Sequence, residues 1–207
     1  MTRDELAQDL SYVRALAEEG RHAPLLGGSF LVFWGVLNMA AYGVQWSLLT
    51  GLLPGAESGA SFGLLWGAYG LIAGIGSAIL SQRVRGKPGL SAIGVRAEGA
   101  IWLGVSLAIG AVAIGAIARL FLDHDANAPN AIMGAAFALF GAALTATAML
   151  SGQKWLWPFA LLAYLVAATL CAFANAPWAY LLASAASVIV LAIPGALLLR
   201  HEPSAIV

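Results

Sequence analysis

SFGLLWGAYGLIAGIGSAILSQR, residues Ser61 to Arg83, is the stretch from which the fold class is read. Small residues recur in it at Gly63, Gly67, Gly70, Gly74, Ser77 and Ser81, at intervals of four and three, so on a helix they fall along one narrow seam. The seam is glycine where a water-soluble helix would carry leucine. Glycine in a helix interior costs about 1 kcal/mol relative to alanine, and the pattern makes sense where another backbone approaches closely inside lipid. The stretch predicts the central helix of a membrane bundle, with this seam as a tight helix-packing contact.

Composition points the same way. The chain is 61% hydrophobic and 10% charged, with a mean hydropathy of +0.86, against about 25% charged residues in a soluble domain, and a soluble fold is excluded. The net charge of +0 offers no basic field to nucleic acid, so none is expected as a partner. Cys171, the single cysteine, can form no intrachain disulfide and is expected to be a small buried hydrophobe.

Working outward, six apolar runs are long enough for the roughly 20 residues that a helix needs to cross a bilayer. They lie near Gly28–Thr50, Ser61–Gln82, Glu98–Leu122, Ala131–Gly152, Trp157–Asn175 and Ala179–Leu199. Continuous rather than alternating apolarity selects helices over a barrel, and short connections make neighbours antiparallel. Pro194-Gly195 removes a backbone donor and predicts a kink near the cytoplasmic end of the last run. Ser29–Gly35 (SFLVFWG) and Ser61–Gly67 (SFGLLWG) echo one another, but the two runs point in opposite directions and establish no inverted repeat. The expected organisation is all-α: residues 1–22 a cytosolic amphipathic helix, 23–200 a six-span bundle, and 201–207 a cytosolic tail.

Basic residues set the orientation. Arg3, Arg14, Arg21, Arg83, Arg85, Lys87, Arg96, Lys154 and Arg200 fall on one side of six spans, whereas the other side has Glu57, Asp123 and Asp125 with only Arg119 beside them. Both termini are therefore expected in the cytoplasm. Trp46, Trp155, Trp157 and Trp178 sit near the interfaces, as an aromatic belt requires.

The N-terminal segment has Thr2 and Glu5 at capping-box spacing, an Arg14–Glu18 pair and a stop at Gly20. Leu6, Leu10 and Val13 form an apolar stripe, flanked by enough acidic side chains to oppose adsorption to an anionic leaflet. The stripe suits folding back onto the bundle or docking a protein partner.

Motifs for chemistry are few. Residues Gly59–Leu65 resemble the serine-bearing helix of rhomboid intramembrane proteases, but Phe62 stands where that family has glycine, and His22, His124 and His201 lie outside the spans. Neither a catalytic residue, a metal-ligand set nor a cofactor motif is assigned, and no enzyme activity is expected. Polar side chains within the spans remain: Asn38 and Gln45 share a face in the first, Thr145 and Thr147 lie in the fourth, and Thr169, Ser184 and Ser187 lie in the last two. Glu98 sits at the inner end of its span beside Arg96 and is expected to pair at the interface.

Val13, Arg14, Glu18, Arg21 and Gly28 follow a pattern that resembles a loose group of bacterial membrane proteins without an assigned function, which have a short N-terminal helix and about six spans. The resemblance implies a bacterial inner-membrane protein and carries over no activity. Two functions fit: a membrane anchor, sensor or interaction protein that contacts a cytosolic or membrane partner, or a second copy of itself, or a transporter of a small neutral or hydrophobic solute. The transporter needs Asn38, Gln45, Thr145 and Thr147 to line a polar path; the anchor needs such groups paired.

Overall fold

The computed structural model describes residues 27–53, 59–85 and 93–200. Every regular element there is helical: α1 (Gly28–Leu49), α2 (Gly59–Val84), α3 (Ile93–Leu122), α4 (Ala131–Ser151) and α5 (Trp157–Ala172). A last span follows, in which α6 (Pro177–Ser187) and α7 (Ile193–Leu199) are joined by a π turn over Val188–Ala192. Short 3-10 turns at Ala128–Asn130 and Lys154–Leu156 lead into α4 and α5. By length and composition, five stretches can cross a membrane: Gly59–Val84, Gly94–Leu122, Ala128–Ser151, Lys154–Ala172 and Pro177–Leu199. The chain is thus an all-α, multi-pass membrane protein. The first expected span, α1, has 22 residues, but Asn38 and Gln45 dilute its apolarity and it is not among the five. The proposed cytosolic helix and tail, with Leu6, Leu10 and Val13, lie outside the described residues.

Local chemistry explains the helix ends. Pro177 opens α6 and Pro158 stands in the first turn of α5, where a missing N–H costs nothing. Gly152 closes α4 in the left-handed conformation at φ +68°. Pro194 cannot donate to the Val190 carbonyl, and the regular helix opens into the π turn just before it.

Packing puts α2 at one edge, with α1 inside it. Helix α1 lies antiparallel between α2 and the last span, and the last span adjoins α5, which packs on α4, which in turn carries α3. Backbones meet where glycine permits: a Cβ at Gly35 would fall 2.6 Å from the Ala192 nitrogen, and one at Gly195 would fall 2.7 Å from both the Val32 nitrogen and the Leu31 Cβ. Gly134 lies against the Cys171 thiol and Gly141 against the Tyr164 ring, which sets the α4–α5 contact. Phe137, Met133, Leu144, Leu156, Leu170 and Leu191 fill the interior.

Three expectations are corrected. A Cβ at Gly63, Gly67, Gly70 or Gly74 would meet nothing within 4 Å, Ser77 is half-buried and Ser81 is exposed, so the seam makes no tight contact inside this chain. The covered side of α2 runs instead through Leu65, Tyr69, Ala73 and Gly76, about 125° round the axis. Its choice follows the Phe33 ring, which lies over Gly76, and the polar tips of Trp66 and Tyr69, which reach α1. Only 6% of the most apolar window of α2 is buried, against 56% for α4, so α2 is peripheral rather than central. Cys171 is exposed rather than buried, because it lies on the rim of the α4–α5 contact.

Two charged groups also find their places. Arg119 bonds Asp125 at 2.7 Å and approaches Asp123 at 3.8 Å at that end of α3. Glu98, expected at the interface, is 3% exposed and has its carboxylate against Gly27. Helix α3 begins at Ile93, five residues before the predicted start, and so carries Glu98 on its inward face.

Candidate functional site

The buried polar chemistry of α1 lies on one face, because Asn38, Tyr42 and Gln45 are spaced four and three apart. All three are buried, and two of them hold α2. The Tyr69 hydroxyl donates to Asn38 Oδ1 at 2.6 Å, and the Trp66 indole N–H donates to Gln45 Oε1 at 3.0 Å. On the opposite flank of α1 the Ser184 hydroxyl donates to the Met39 carbonyl at 2.8 Å, fixing α6.

Aromatic rings fill the space between these bonds. Trp66 stands edge-on to Tyr69 at 5.1 Å and to Tyr42 at 5.8 Å, while Trp34 lies 6.2 Å from Tyr69 and Tyr42 lies 6.3 Å from Tyr180. The two tryptophans of the sequence echo, Trp34 and Trp66, thus each pack on a tyrosine of the other helix. Tyr180 extends the network to one end of the bundle: its hydroxyl donates to Asn130 Oδ1, and Asn130 Nδ2 donates to Asn175 Oδ1 at 3.0 Å. One connected set therefore ties α1, α2, α6, the turn before α4 and the loop before α6.

The four residues expected to line a path do not meet. Asn38 and Gln45 are bonded across α1 and α2, whereas Thr145 lies on α4 with its hydroxyl 3.4 Å from that of Tyr164 on α5. Thr147, fully buried on α4, has no hydrogen-bond partner for Oγ1. The hydroxyls of Thr169 and Ser187 are turned back to carbonyls of their own helices, those of Leu165 and Ala183. Sequence reasoning passed over Tyr42, Trp66, Tyr69 and Tyr180. Their signal was present: a tyrosine between two amides at helical spacing, facing a tryptophan and tyrosine three apart on the next run.

The network consists of amides, phenols, indoles and a hydroxyl, so it can hold helices and polarise a neutral guest but carries no permanent charge. Among the described residues no group of three His, Cys, Asp or Glu side chains could hold a metal ion. No family model, curated protein or solved structure matches the chain.

Proposed function

We propose that this is a non-enzymatic anchor, sensor or interaction protein of the bacterial inner membrane, with six spans and both termini cytoplasmic. In this reading α1 is the additional span, because its two amides are bonded inside the bundle. An unpaired buried amide costs about 2–7 kcal/mol by transfer from water, whereas a paired one leaves that cost largely offset. The N-terminal helix, with Leu6, Leu10 and Val13, docks a protein partner. The observation that carries the reading is the pairing of Asn38 with Tyr69 and Gln45 with Trp66, which gives these groups a structural use. Crosslinking and pull-down with Leu6→Asp plus Leu10→Asp tests the docking half: partners captured by the unmodified chain should be lost, while deletion of residues 1–20 leaves the bundle folded. Retention of every partner by the double variant would refute docking; unfolding on deletion would make the helix part of the bundle.

A further inference from the structure

The contact between Glu98 and Gly27 joins the starts of two helices. Gly27 is the N-cap residue of α1, and Glu98 lies in the second turn of α3. A Cβ on Gly27 would fall 2.9 Å from Glu98 Oε1, 3.5 Å from Cδ and 3.8 Å from Oε2, so the whole carboxylate lies against the N-cap residue. Side chains on a helix lean toward its N-terminus, which is how Glu98 reaches back to that level. Glu98 is buried, and a carboxylate taken out of water is costly unless positive charge or N–H groups face it. The first turn of a helix supplies both, since its N–H groups point out of the helix end with no acceptor inside it and carry the positive pole of the dipole. Glycine at the N-cap of α1 brings no side chain to meet them, and its missing Cβ leaves the room that the carboxylate fills.

We infer that Glu98 caps α1 from α3. Its carboxylate takes the place of the side chain that an aspartate at the N-cap would supply, and the cap latches the start of α1 to α3. Gly27 is also the residue through which the N-terminal segment joins α1, so the latch fixes where that segment leaves the bundle. The latch is separate from the paired amides of α1, and it holds whether or not the N-terminal segment docks a partner.

The test is backbone amide hydrogen exchange of the full chain in micelles, read residue by residue. In the unmodified protein the amides of Gly28, Ser29 and Phe30 should exchange far more slowly than amides open to water; exchange at the open rate overturns the cap, and that arm needs no variant. Glu98→Ala should speed these three amides several-fold, and Glu98→Gln, which keeps an acceptor but not the charge, by less, while Gly35 and Val36 further along α1 stay as they were. Two changes at Gly27 separate capping from packing. In the Glu98→Ala background Gly27→Asp supplies the cap locally and should slow the three amides again, whereas Gly27→Ala should not, because alanine is a poor N-cap. In the unmodified background Gly27→Asp sets a second carboxylate against the first and should lower the midpoint of thermal unfolding. Unchanged exchange in folded Glu98→Ala overturns the latch, and so does rescue by alanine as complete as by aspartate.

Discussion

Gly195 and Gly67 are the same residue in two different situations. At Gly195 a Cβ would press on the backbone of α1, whereas at Gly67 it would meet nothing. Overpacking of a tight contact costs about 1–3 kcal/mol, and a substitution that touches nothing usually stays within about 0.5 kcal/mol. Gly195→Leu should therefore lower folded yield and the midpoint of thermal unfolding in detergent, and Gly67→Leu should leave both near the parent values. Equal damage from both would place another helix on the exposed seam. This is also where the sequence was least legible. Spacing of small residues shows where a backbone is allowed to approach, but the approach itself is decided by bulky neighbours such as Phe33, whose position depends on the whole bundle.

At the scale of elements, lengths and ends were readable, because apolar run length, Pro158, Pro177 and Gly152 act locally. The start of α3 was not: the predicted run opened at Glu98, with its carboxylate at the interface beside Arg96, yet the helix begins at Ile93 and takes Glu98 inside. Partner choice among helices was also hidden: Asn38 and Gln45 stood out in the sequence as candidates to line a polar path, and nothing there showed that they would hold α2. The α1–α2 contact rests on few groups, so its polar clasps are measurable. A double-mutant cycle of Gln45→Leu and Trp66→Phe, followed by unfolding in detergent, should give a coupling of about 0.6–2 kcal/mol, the range of interhelical hydrogen bonds in membranes. Additive effects of the two changes would mean that the 3.0 Å bond contributes nothing to holding α2.

For the whole molecule, a well-packed group of α1, α4, α5 and the last span is flanked by α2 and α3, whose apolar windows are 6% and 11% buried. Composition made the membrane class legible because it is a bulk property of the solvent the chain must satisfy. The use of its polar residues was left open, since a paired amide and a path-lining amide look alike in a sequence. The two uses differ in exposure to water. In a Cys171→Ala background, cysteines placed at positions 38 and 45 and, as a control, at the exposed His124 would be treated with a membrane-impermeant thiol reagent in intact vesicles of both orientations. The paired network predicts rapid labelling at 124 and slower labelling, by orders of magnitude, at 38 and 45 from either side; labelling at 38 or 45 as fast as at 124 would reveal a water-filled path and contradict the anchor.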